Sequence, residues 1–179
     1  EDAYGKKKEH DLGIGLFIPI PKKFTEYFPH KEEDPSPPHI TFLYIGQKPD
    51  DPQDLKKLIS ILRREISEMP PFDACFEEVE YFYQDKDDVN VTVPHVKISF
   101  EPEVRPWKGY LWTVLEKAGF DVKDSFPDFK PHATLQYIED PDQSHQWTKP
   151  VPSGSFSVNK IELWGTGKDI VFDVATGKK

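Results

Sequence analysis

One segment of the chain occurs twice, and the repeat limits what the rest can be. Pro38-His39-Ile40-Thr41-Phe42-Leu43-Tyr44-Ile45 and Pro131-His132-Ala133-Thr134-Leu135-Gln136-Tyr137-Ile138 share Pro, His, Thr, Tyr and Ile at the same offsets. With 6 His and 8 Thr among 179 residues, chance gives roughly 0.3 His-x-Thr triplets in such a chain. A single copy would therefore mean little, and two in one extended context mean much. Both copies read as β-strands, in which side chains alternate between faces. His39 and Thr41 then point one way and Ile40 and Phe42 the other, as do His132 and Thr134 against Ala133 and Leu135. The fold has to bury the apolar parity of each strand while turning an imidazole and a hydroxyl to a cleft.

The intervening chain supplies elements to cover such strands. Residues 12–20 alternate as a strand, with Pro19 and Pro21 marking its end or an edge, and 24–28 form a short helical turn. Residues 29–38 carry four prolines and read as an exposed loop in which His30 is solvated. Asp51 and Pro52 open a helix over 52–69 with Leu55, Leu58, Ile59, Leu62 and Ile66 on one face. Residues 72–84 and 89–100 form a hairpin across the polar turn 85–88, with a bulge near Glu77-Glu78 and a second bulge or an edge at Pro94. A second helix starts near Pro106, with Trp107, Tyr110, Leu111, Val114, Leu115 and Ala118 as its core stripe and Gly119 as its stop. Residues 121–129 connect to the second motif strand, 139–154 form a polar loop, and 156–164 with 170–174 close the chain as a hairpin. Two motif strands, each with a helix on the same sheet, make a pseudo-repeat of class α+β, mostly antiparallel.

Composition removes several functions. A formal charge of −9 argues against a broad footprint on long duplex nucleic acid, where many phosphates must displace counterions. A small anion in one local pocket is compatible with it. No apolar run is long enough to cross a bilayer, so no membrane partner is expected. The lone cysteine, Cys75, forms no intrachain disulfide and fits a reducing, cytoplasmic setting. The organisation expected is a tail over 1–11, a two-lobed domain over 12–174 and a tail over 175–179. Lys6-Lys7-Lys8 is read as a solvated part of the first tail. The start at Glu1 without a methionine suggests an excised piece of a larger chain, and the domain is expected to be a monomer.

If the motif strands lie side by side, their cleft holds two histidines and two hydroxyls. Phosphodiester chemistry uses such a set: a base for the attacking oxygen, an acid for the leaving oxygen, and donors for the nonbridging oxygens. Histidine titrates near neutrality, so one can start neutral and the other protonated. His95, at the parity of Lys97 and Ser99, is a further candidate for phosphate contact, the alternative being an exposed strand face. Lys130, beside the second motif, is assigned to phosphate contact and Phe17, on the first strand, to base contact. Tyr44 and Tyr137 fall on the opposite parity and are expected to pack. A zinc site from His39, His95 and His132 is disfavoured, because the i+2 neighbour of each motif histidine is a threonine, a poor zinc ligand. No metal or other cofactor is called for.

The paired His-x-Thr motifs, the Leu16-Phe17-Ile18-Pro19-Ile20-Pro21 strand, the long helix after the first motif and Phe129-Lys130-Pro131-His132-Ala133-Thr134-Leu135 resemble the 2H phosphoesterase superfamily, also called the LigT-like or 2'-5' RNA ligase family. The resemblance spans roughly residues 12 to 174. It implies a bilobal, pseudo-symmetric fold of antiparallel sheets, helices outside and a groove between lobes. It further implies metal-independent action on 2',3'-cyclic phosphates, 2'-5' linkages or cyclic oligonucleotides. Carried over by position, His39 and His132 are acid and base in an order left open, and Thr41 and Thr134 bind phosphate. The acidic, proline-rich loop 29–38 departs from the family and disfavours long RNA, leaving a small nucleotide or an RNA end as partner. The alternative function is a non-catalytic nucleotide-binding module that sequesters its ligand in the same groove.

Overall fold

The computed structural model describes residues 13–29, 36–124 and 129–175. Lys6–Lys8, His30 and nearly all of both predicted tails lie outside these residues. Nine strands, β1 (Ile14–Pro19), β2 (His39–Gly46), β3 (Phe72–Lys86), β4 (Val89–Glu101), β5 (His132–Thr134), β6 (Ile138–Glu139), β7 (Ser155–Val158), β8 (Lys160–Trp164) and β9 (Ile170–Asp173), form one antiparallel sheet. Its order is β7-β3-β4-β5-β2-β1-β8-β9, with β6 beside β4. The two motif strands thus belong to one sheet, in which β2 pairs with β5 through Ile40 and Ala133.

The predicted strand over 156–164 is in fact two. β7 pairs with β3 at one end of the order and β8 with β1 near the other, yet only Asn159 separates them. One residue cannot span an open eight-strand sheet at about 4.8 Å per strand, so the sheet curls into a half-barrel that brings its ends together.

Helix α1 (Pro52–Ile66) follows β2 and α2 (Arg105–Lys117) precedes β5. The Asp51 side chain accepts from the Gln53 amide at 2.9 Å, which satisfies one of the donors orphaned at the start of α1. Leu58, Ile61, Leu62 and Ile66 bury its apolar face, and the helix ends before the predicted residue 69. A short 3-10 helix covers Lys22–Tyr27. The expected bulge appears as a register shift between Phe76 and Val79.

Pro94 brings neither a bulge nor a sheet edge. It stays in register with Tyr81, and on its other side β4 changes partner there, from β6 to β5, where no amide donor is needed. Helix α2 also turns differently from its predicted stripe. Leu111 and Leu115 are buried, Tyr110 is half exposed, and Lys108 is buried instead. The Lys108 ammonium meets the Asp124 carboxylate at 2.9 Å and lies 3.9 Å from the centre of the Phe129 ring, which makes a cationic position tolerable in the core. Among the described residues no helix is long and apolar enough to cross a membrane.

Candidate active site

Register sets the geometry. The rung Ile40–Ala133 continues into Val96 on β4 and Ile18 on β1, an apolar row whose members are almost fully buried against the core. Phe42 and Leu135 lie on the same side and are equally covered, so the predicted alternation holds for both motifs. Antiparallel pairing about that rung puts Thr41 opposite His132 and His39 opposite Thr134 on the other face. One groove row then reads Glu162, Phe17, Thr41, His132, Lys97, and the next Pro19, His39, Thr134, His95, Glu80. Each histidine sits across from the threonine of the other motif, so the four groups form a crossed pair.

The histidines are held alike. His39 Nδ1 lies 2.8 Å from the Pro37 carbonyl, His132 Nδ1 2.9 Å from that of Lys130, and His95 Nδ1 3.0 Å from that of Val93. A carbonyl only accepts, so each Nδ1 carries the proton. In all three the intervening residue is proline, which fixes φ and holds its neighbour extended. The Pro38, Pro94 and Pro131 carbonyls accept from the amides of Ile20, Leu135 and Ile98, which locks the turn to the next strand. The Pro-His dipeptide of the two motifs recurs at 94–95, and motif reasoning passed over this third copy.

Aromatic rings fix the imidazoles from the side. Phe17 meets His39 edge-on at 5.2 Å and stacks on Trp164 at 4.7 Å, and Trp164 meets His39 at 5.1 Å. Phe17 is 0% exposed, so it is part of the groove floor beneath His39 and is out of reach of a base. His95 is 2% exposed, which corrects the exposed-strand alternative. It stacks on Phe82 at 3.9 Å and meets His132 at 4.9 Å, while its Nε2 lies 4.0 Å from Glu80 Oε1. Lys130 contributes its carbonyl, and its side chain is exposed. Sequence reasoning missed Trp164 and Phe82. Phe82 was legible in principle, since it shares the parity of Glu80 and Gln84 on the groove face, but Trp164 reaches the site only because β8 pairs with β1.

Burial pushes the His132 imidazole down to about 4, with the Lys130 carbonyl opposing and the charges of His95 and His39 adding to the fall. Burial likewise lowers His95, against the pull of the Val93 carbonyl and Glu80. At neutral pH His132 is therefore unprotonated at Nε2, the state of a general base. Among the described residues neither the Thr41 nor the Thr134 hydroxyl has a hydrogen-bond partner, so both can donate to a ligand. No three His, Cys, Asp or Glu side chains among the described residues are grouped as metal ligands.

A model of the 2'-5' RNA ligase superfamily matches residues 22–170. No curated protein sequence matches the chain. Among solved structures, TT0787 of Thermus thermophilus is 17% identical with a TM-score of 0.60, covering 93% of this chain and 100% of its own. E. coli LigT complexed with 3'-AMP is 16% identical at a TM-score of 0.60, covering 93% and 98%. Kluyveromyces marxianus Usb1 is 11% identical at 0.56, covering 89% and 97%. At such identities these likenesses describe the fold.

Proposed function

We propose that this chain, which belongs to the 2'-5' RNA ligase (2H phosphoesterase) superfamily, is a metal-independent phosphodiesterase acting on a 2',3'-cyclic phosphate, a 2'-5' linkage or a cyclic oligonucleotide. The observation that carries the reading is the crossed pair: two histidines and two hydroxyls, each histidine opposite the other motif's threonine, on adjacent strands of one groove. A phosphate between the strands would meet one imidazole on each side of phosphorus. The complexes of LigT with 3'-AMP and Usb1 with uridine monophosphate lend support to a small nucleotide as ligand.

In the proposed step the Nε2 of His132 takes the proton of the attacking hydroxyl, from water or a ribose. The new P–O bond forms as the bond to the leaving oxygen breaks, and His39 Nε2–H delivers a proton to that oxygen. Nδ1 of each ring stays bonded to its carbonyl throughout, so neither imidazole rotates away. Thr41 and Thr134 donate to the nonbridging oxygens as charge builds on them. His132 is given the role of base because burial keeps it in the neutral form that can accept a proton.

The test is turnover of 2',3'-cyclic nucleotides, 2'-5'-linked diadenylate and cyclic dinucleotides in EDTA. His39→Ala and His132→Ala should each reduce kcat by at least about 100-fold. Activity that survives either substitution, or that EDTA abolishes, would refute the reading. Tight binding with no product would instead favour a sequestering module.

A further inference from the structure

Lys97 follows His132 in its groove row, paired with it across β4 and β5 with no register shift between them. Directly paired residues on neighbouring strands share a face, so the ammonium of Lys97 rises from the same side of the sheet as the imidazole. It is exposed, and among the described residues it has no ion-pair or hydrogen-bond partner. Elsewhere on the sheet, lysines that pair do so with a carboxylate, as Lys160 does with Asp173 at 2.6 Å. Lys97 stands one strand spacing, about 4.8 Å, outside the strand that carries His132, and so beyond the space between the two histidines. The opposite end of the row is Glu162, whose carboxylate accepts from the Trp164 indole at 2.9 Å. The row therefore runs from an anion beside the Phe17–Trp164 floor to a cation beside His132, with the Glu77–Glu78 bulge of β3 on its far side.

We infer that Lys97 binds a second phosphate of the substrate, one ribose removed from the scissile phosphodiester, so that the enzyme selects nucleotides carrying a further phosphate on the β4 side. The inference rests on the phosphodiesterase reading and adds to it a direction: phosphates run from the crossed pair toward β4, and the uncharged part of the nucleotide lies toward β8. A lysine suits this task because its flexible stem lets a point charge follow a phosphate with no fixed orientation.

The experiment compares 2',3'-cyclic AMP and 2'-5'-linked diadenylate, each with and without a 5'-phosphate. For the substrate that turns over, wild type should show kcat/KM at least about 10-fold higher with the added phosphate, as a charge-assisted contact provides. Lys97→Met should bring that ratio close to one, and Lys97→Arg should keep most of it. Raising the salt should shrink the ratio in wild type and leave it flat in Lys97→Met. A wild-type ratio near one, or a ratio that survives Lys97→Met, would overturn the inference. Should wild type turn over none of these substrates and no cyclic dinucleotide, the phosphodiesterase reading falls. The same ratio measured as Kd by calorimetry then decides the role of Lys97 alone.

Discussion

Ile40 and Ala133 face each other across the rung that joins β2 to β5, and both are completely buried. Everything proposed for the groove depends on that rung, because the histidines and threonines are the residues flanking it on the other face. Ala133→Leu puts three more carbons into a close-packed site and should destabilise the chain by about 1–3 kcal/mol through overpacking. It should also lower kcat more than that loss predicts at a temperature where the variant is folded, because the two strands are levered apart. Urea denaturation with kcat measured well below the midpoint checks this, and a destabilised variant of normal kcat would show the rung to be structural only.

Lys108 and Asp124 form a buried ion pair that fastens α2 beneath the segment leading to His132, since Phe129 lies against the ammonium. Lys108→Met leaves the Asp124 carboxylate, whose side chain is 3% exposed, without its counter-charge. The expected cost is about 3–5 kcal/mol. Combining it with Asp124→Leu should restore most of the stability, measured as the denaturation midpoint.

What could be read ahead of the structure was local. Parity along 39–42 and 132–135, the Asp51 cap of α1 and the bulge after Phe76 each depend on a few adjacent residues, and all three are present. What could not be read was which strand neighbours which. Trp164 is 125 residues from His39 in sequence and reaches it only through the β1–β8 pairing. The same ignorance put Phe17 in contact with a base when it lies under the imidazole. Tyr110 and Lys108 exchanged places for a related reason: a helical stripe is drawn from apolarity, whereas the Asp124 carboxylate reaching under α2 makes a lysine the better-matched residue there.

Phe17→Leu separates the two roles given to that ring. The substitution keeps an apolar side chain but removes the edge contact to His39 and the stack on Trp164, and should cost about 1–2 kcal/mol. If Phe17 supports His39, kcat falls several-fold with KM nearly unchanged. A raised KM with an unchanged kcat would instead restore the base-contact role.

The lowered proton affinity of His132 makes a statement about both activity and stability. In activity, the base must be neutral, so the acid limb of kcat/KM should lie nearer pH 4 than 6.5, and the enzyme should stay active at pH 5.5. In stability, the unfolded chain binds a proton on residue 132 below pH 6.5 that the folded chain accepts only near pH 4. Stability from this group is therefore fully present above pH 6.5 and is lost as the pH falls to about 4, by at most about 3 kcal/mol. His95 is shifted in the same direction and adds to the loss. The groups facing His132 on its neighbouring strands are Lys97 and His95 on β4 and His39 on β2; the charges of His95 and His39 oppose its protonation, and Glu80 lies beyond, 4.0 Å from His95. His132→Gln should remove its share, so the drop in denaturation free energy between pH 7 and pH 4.5 becomes smaller than in wild type. An unchanged drop, together with an acid limb at 6.5, would mean that His132 is solvated and that the base is His39.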